Sequence, residues 1–205
     1  FLRQYNIRGS VPVGKQVAVI GGGNAAIDAA RSAIRLGARS VTVIYRRTRE
    51  EMPAYAEEIE EALQEGVVLR TLVNPEEFIV EDGAVTGIRL RAMKLGEFDR
   101  SGRRRPEVDA AAGETLPADQ VIMAIGQALD NKALAGEIEV ELDNKGWVKA
   151  DPRTGATPLP WLFAGGDVVT GPSSVVEAIA AGERAAVAID KMFNGAEHAF
   201  WRGYS

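Results

Sequence analysis

The sequence contains no cysteine and a single histidine, His198. Without cysteine the chain has no disulfide, no thiolate zinc site, no protein-ligated iron–sulfur cluster and no redox-active cysteine pair. One histidine excludes a multi-histidine metal centre, and its place beside Phe200 and Trp201 reads as surface packing rather than catalysis. No apolar run approaches the roughly 18 residues of a membrane-spanning helix, and the first residues lack a signal-peptide pattern. A cytoplasmic protein that engages no membrane is the expectation. Nor is there an excess of positive charge. Lys and Arg total 24 against 29 Asp and Glu, for a net charge of −5, which argues against general nucleic-acid binding and against polybasic membrane attachment.

What is present is ordinary for a globular protein with a sizeable core: 46% hydrophobic and 26% charged residues over 205 positions. That length suits one large domain, or one domain and part of another. The chain starts at Phe1 rather than Met, so a piece of a longer polypeptide is expected.

Residues 1–14 read as a lead-in, with Gly9-Ser10 and Pro12 breaking any regular element. The run 15–20 is apolar and short, as in a strand buried on both faces of a parallel sheet. It enters Gly21-Gly22-Gly23, after which 24–36 takes a helical period. Asp28, Arg31, Ser32 and Arg35 form a polar face and Ala26, Ile27, Ala30, Ala33 and Ile34 an apolar one. A strand over 40–45 completes a strand–helix–strand crossover. Residues 46–52 read as a charged loop, Pro53 as the first turn of a helix over 54–65, and 67–72 as a third parallel strand. Asp82-Gly83 between apolar runs signals a hairpin. Residues 100–106 read as a polar loop, with Arg103–Arg105 at a solvated tip. Further strands are expected at 120–125, 147–150 and 161–164. Ser173 or Ser174 then caps a long helix to about Phe193. Val175, Ile179, Gly182, Ala186, Ile189 and Phe193 are its expected buried stripe.

Gly21-x-Gly23-x-x-Ala26 has the spacing of a dinucleotide-binding turn. The first glycine permits the tight turn, the second lets the backbone approach a pyrophosphate, and Ala26 keeps the helix close to the sheet. N–H groups of Asn24 and Ala25 at the helix start would face the phosphates. The turn stands between a buried strand and a helix, as this chemistry requires. At the end of the second strand, Tyr45-Arg46-Arg47 replaces the acidic residue that would accept bonds from ribose hydroxyls. Guanidinium groups there suit a 2′-phosphate, so Arg46 and Arg47 point to NADP(H). Two more glycine tracts, ending at Gly126 and at Gly165-Gly166-Asp167, suit a second cofactor, with Asp167 placed to accept bonds from a polyol. No acid–base pair and no Ser/His/Asp set emerges, and no metal ligands are expected.

These segments resemble the two-dinucleotide-domain flavoprotein reductases, and among them the small subunit of NADPH-dependent glutamate synthase. The match is carried by Gly21-Gly22-Gly23-Asn24-Ala25-Ala26-Ile27-Asp28, Tyr45-Arg46-Arg47 with Met52-Pro53-Ala54, Ser101-Gly102-Arg103-Arg104-Arg105-Pro106, Ala124-Ile125-Gly126-Gln127 and Ala164-Gly165-Gly166-Asp167. The resemblance implies an α/β fold. A Rossmann-like, three-layer NADP-binding domain with a parallel sheet and a β-hairpin or meander would occupy 15–128. Residues 1–14 would lead in from an FAD domain, and 129–205 would be the returning part of that domain. It implies hydride transfer from NADPH to FAD and onward electron flow to a large glutamate synthase subunit or another electron-accepting subunit. It also gives Asp167 a role at the FAD ribityl or pyrophosphate, and aims the helix starting near Ser173 at the flavin. The family's N-terminal FAD turn and iron–sulfur cysteines have no counterpart here, so the FAD site is expected to be incomplete. An uncovered apolar face, and with it a homodimer, is plausible. Reductases for ferredoxin, pyrimidines, hydrogenase or formate dehydrogenase, and an idle NADP-binding or assembly domain, remain open alternatives.

Overall fold

The computed structural model describes residues 1–98, 102–110, 113–126, 129–130 and 138–195. His198, Phe200 and Trp201 lie outside them, as do Ser101 and Gln127. The chain forms two compact units, 1–126 and 127–205.

In the first unit, β1 (Gln16–Ile20), β2 (Ser40–Tyr45), β3 (Val68–Thr71) and β8 (Gln120–Met123) form a parallel sheet in the order β3-β2-β1-β8. The helices α2 (Asn24–Arg35) and α3 (Ala56–Gln64) cover one face. The other face meets a second, antiparallel sheet built around β5 (Ala84–Phe98), which pairs with β4 (Val73–Glu81), β6 (Arg104–Val108) and β7 (Glu114–Pro117). The central strands β1 and β2 are therefore buried on both faces, while β3 and β8 at the edges are only partly covered. Val17, Val19, Val41 and Val43 pack on the helix side with Ala26, Ile27 and Ala30. Ala18, Ile20 and Ile44 pack against Ile88 and Leu90 of β5. This is the expected three-layer arrangement: helices, parallel sheet, antiparallel sheet. At Asp82-Gly83 both φ angles are positive, 51° and 77°, as a two-residue hairpin turn matched to strand twist requires.

Four expectations are corrected in this unit. Residues 2–8 form a helix, α1 (Leu2–Arg8), because Gly9 ends it in the left-handed conformation, its N–H donating to Tyr5 O, rather than preventing it. Pro53 precedes α3 instead of opening it, since Tyr55 is the N-cap. Within the charged loop, Arg49–Glu51 form a 3-10 turn held by a Thr48/Glu51 capping box. Arg104 and Arg105, although exposed, are not a loop tip: they lie in β6, which pairs with β5.

The second unit is different in kind. Among its described residues the only β pairs are isolated bridges, Leu142 with Val148 and Ala156 with Phe163, so the strands expected at 147–150 and 161–164 do not develop. Asp143 Oδ1 and Asp151 Oδ1 each accept two backbone N–H bonds and shape tight turns. A short helix α4 (Asp167–Thr170) precedes α5 (Val175–Asn194), which Ser174 caps as expected. The buried stripe expected on α5 is overturned: no residue of the helix is buried, and Val175, Ile179 and Phe193 are 76%, 59% and 75% exposed. An apolar helical face is buried only where a second layer meets it, and this unit carries no sheet among its described residues.

Candidate functional site

The crevice lies at the carboxyl ends of β1, β2 and β8. The chain leaves β1 toward β2 on one side, and β8 adds on the other. Such a reversal of strand order opens a gap above the sheet edge in doubly wound folds. Gly21 turns the chain there with φ of 146°, and a Cβ on it would stand 2.2 Å from Ala124 O. Gly21 N donates to Ile44 O at 3.1 Å, and Ala124 N donates to Ile20 O at 2.8 Å. The turn is thus gripped by both neighbouring strands. Gly22 is filled against the Tyr45 ring, whereas a Cβ on Gly23 would meet nothing within 4 Å. The first glycine is needed by the protein itself; the second leaves open space on the crevice side.

Gly23 is the N-cap of α2, and Ala26 and Ile27 donate to its carbonyl. The N–H groups of Asn24 and Ala25 precede these bonds and have no acceptor within the helix. With the helix dipole behind them, they stand at the positive end of a twelve-residue helix, an arrangement whose chemistry suits an anion. Ala26 is fully buried against the sheet, as expected. The Asn24 side chain faces elsewhere and accepts the N–H of Tyr55 through Oδ1 at 3.0 Å, while Ala54 N donates to Gly22 O at 3.1 Å. Ala54 and Tyr55 are thereby tied to the glycine turn. The cradle fits a pyrophosphate in its open Cβ space and its N–H supply.

The two arginines after β2 separate. Arg46 is exposed, whereas Arg47 is 5% exposed and its Nε donates to Arg104 O at 2.7 Å. Arg49 turns to α3 and pairs with Glu60 at 2.8 Å. The Glu50 carboxyl is held below its ordinary range chiefly by its own backbone N–H, with smaller contributions from Thr48 and Arg49. Between this loop and the β5–β6 arm lies a cleft of about 680 Å³ lined by Thr48, Met52, Pro53, Phe98 and Arg104 among others. Nothing in the local pattern signals the contribution of β6, although the Thr48-x-x-Glu51 spacing is a capping-box pattern legible in sequence.

Gly126 follows β8 with φ of 100° and open space at its Cβ position. In the second unit, Gly166 has φ of 69° and packs against Ala178, while a Cβ on Gly165 would meet that of Ala181 at 3.0 Å. These glycines therefore serve close packing on α5. Asp167 is exposed at the start of α4, and its Oδ1 accepts the N–H of Ser173 at 3.1 Å. The start of α5 already carries an anion. The Glu177 carboxylate bonds Ser173 and Ser174 and is held below its ordinary 4.5, chiefly by the Ser173 hydroxyl.

A dinucleotide-type crevice on a three-layer α/β unit defines a class, that of the FAD- and NADP-dependent oxidoreductase folds. Thioredoxin reductase of T. acidophilum superposes with a TM-score of 0.69 at 22% identity, covering 88% of this chain and 53% of that one. Mycobacterium tuberculosis FprA, solved in complex with NADPH, superposes with a TM-score of 0.69 at 19% identity, over 90% and 54% of the two chains. Residues 2–182 match the pyridine nucleotide-disulphide oxidoreductase family, and the chain belongs to it. It is 52% identical over 192 residues to the NADP(+)-dependent formate dehydrogenase subunit beta of Moorella thermoacetica, covering 93% of this chain and 27% of that protein. It is 47% identical to the putative oxidoreductase YgfK of Escherichia coli K12, covering 92% of this chain and 18% of that protein. It is 41% identical to the glutamate synthase [NADPH] small chain of the same organism, over 84% of this chain and 38% of that one. The chain thus spans well under half the length of these relatives. Among the described residues no helix is long and apolar enough to cross a membrane.

Proposed function

We propose that the first unit binds NADPH and that the chain serves as the NADPH-binding module of a flavoprotein oxidoreductase, from which electrons pass to a partner subunit. The observation that carries this reading is an open glycine cradle at the N-terminus of α2 beside an exposed Arg46 at the end of β2.

Asn24 and Ala25 would hold the pyrophosphate through their N–H groups, with Gly23 allowing its approach. The Arg46 guanidinium would bind the 2′-phosphate by charge-assisted bonds. FAD, when bound, supplies hydride acceptance and one-electron release. Gly166 and Asp167 are the residues of the second unit proposed to stand beside it. The chain's part is orientation and charge: Gly21 shapes the turn, Ala54 and Tyr55 brace it, and no side chain is required as acid or base. One charge-assisted bond contributes about 1.5–3 kcal/mol, enough for at least a tenfold preference for the phosphorylated nucleotide.

The acceptor has two readings. The glutamate synthase resemblance favours a large synthase subunit. The higher identity to the formate dehydrogenase subunit, 52% against 41%, favours an acceptor of that kind. The experiment is calorimetric titration of the chain with NADPH and NADH, followed by absorbance spectra with added FAD. NADPH is expected to bind more tightly than NADH, with no yellow flavin retained and little NADPH oxidised. An absence of heat with NADPH would defeat the reading, and stoichiometric FAD uptake would overturn the expectation of an incomplete flavin site.

A further inference from the structure

We propose that Glu51 and Arg47 are positioning residues for nucleotide selection, which clamp β6 onto the loop after β2 and so fix where Arg46 presents its guanidinium. The proposal rests on the reading of Arg46 as the 2′-phosphate anchor and deepens it.

The clamp closes on one backbone. The Arg104 N–H donates to Glu51 Oε1 at 3.2 Å, and its carbonyl accepts from Arg47 Nε at 2.7 Å. Both polar groups of that residue's backbone are thus held by side chains from the 46–52 loop. The Arg104 guanidinium turns toward β5, with Nε donating to Gly96 O at 3.3 Å and Nη2 to Leu95 O at 3.2 Å. The β5–β6 ladder shifts register between Leu95 and Phe98, so this side chain supplies bonds where the strand ladder is interrupted. Arg104 is stapled to β5 and presented, backbone first, to the loop.

The loop is equally constrained on its own side. Glu51 Oε2 accepts from the Thr48 N–H and hydroxyl, while the Glu51 carbonyl accepts from the Tyr45 hydroxyl at 2.8 Å. The Tyr45 ring fills the space beside Gly22 in the glycine turn. The Arg47 carbonyl accepts from Leu72 N at 3.1 Å, and Leu72 holds a left-handed φ of 54°, a conformation that a leucine keeps only when its surroundings impose it. Arg46 therefore sits between two buried, anchored neighbours, Tyr45 and Arg47. Its side chain leaves from a fixed platform, and a fixed platform lowers the ordering cost of gripping a ligand. Removing the clamp should weaken the phosphorylated nucleotide and spare the other.

The test titrates the chain and its variants with NADPH and NADH and reads the ratio of the two dissociation constants. Arg46→Ala is expected to lower the preference for NADPH at least about tenfold. Glu51→Ala and Arg47→Lys, the latter keeping the charge but not the Nε donor, should each lower it about three- to tenfold, with NADH binding changed less than about twofold. Because the clamp acts through Arg46, the double variant Arg46→Ala/Glu51→Ala should lose no more than Arg46→Ala alone. Equal weakening of both nucleotides, or additive losses in the double variant, would overturn the clamp. If Arg46→Ala itself leaves the preference intact, the phosphate reading fails; if it abolishes the preference while Glu51→Ala and Arg47→Lys do not touch it, the clamp alone fails. Circular dichroism establishes which variants fold, and should Glu51→Ala not fold, Arg47→Lys decides.

Discussion

Two helices of this chain follow glycine tracts and carry apolar stripes, yet they end in opposite circumstances. In α2, Ala26, Ile27, Ala29, Ala30 and Ala33 are buried; α5 is longer and buries nothing. Composition does not separate them, because α5 is if anything the more apolar. The difference lies in the partner. The first helix has a sheet whose strands are apolar on both faces, and the second belongs to a unit whose described residues form two isolated bridges in place of a sheet. A stripe specifies which face will be buried, and only the neighbouring layer decides whether it is.

The comparison can be broken most forcefully by truncating the two stripes. Ile27→Ala, at 2% exposure, is expected to cost about 2–5 kcal/mol in denaturant unfolding, through lost contacts and a cavity. Ile179→Ala, at 59% exposure, should stay within about 0.5 kcal/mol. Equal costs would mean that α5 is covered in solution, for instance by a second copy, and the sedimentation of the chain would then show it.

The same substitution should next carry opposite signs in the two regions. Gly21→Ala forces a Cβ to 2.2 Å from Ala124 O at a positive φ, and is expected to cost more than about 2 kcal/mol and to abolish NADPH binding. Gly182→Ala sits in the interior of α5 with nothing within 4 Å, and should stabilise that helix by about 0.5–1 kcal/mol. Thermal melts monitored by circular dichroism separate the two.

The smallest effect sharpens the contrast through pH. Glu65 joins α3 to α2 by bonding Arg35 and Arg31 at 2.6 and 2.8 Å. The Arg35 hydrogen bond first, then Arg31, holds its carboxyl below the ordinary 4.5. A depressed acid contributes stability that is present above its unfolded value and is lost as pH falls through the folded one. Glu65→Gln should therefore lower stability by about 1 kcal/mol or less near neutrality, and its difference from the parent chain should vanish in melts well below pH 4.5. A difference that persists in acid would assign the effect to packing instead.

Much of the site was legible in one dimension. The turn at Gly21 and Gly23, the face of α2 on which Ala26 lies, the strand over Ser40–Tyr45 and the hairpin at Asp82-Gly83 all depend on neighbours a few residues away, where spacing and φ preferences act. The separate fates of Arg46 and Arg47 were not legible. Side chains alternate along an extended chain, but which of the two meets Arg104, 57 residues beyond Arg47, is set by how β6 returns. The use of the Asn24 side chain to hold Tyr55 was hidden for the same reason.

By itself the sequence determined the period-bound features: the strand–helix–strand crossover that opens the first unit, where glycine must stand, and the sign of the charge offered after β2. The tertiary structure alone decided which arginine is buried, which strand Glu51 ties to its own loop, and that the stripe of α5 lies bare. Local conformational preference is written residue by residue, whereas burial and long-range hydrogen bonds exist only once distant segments share the same space.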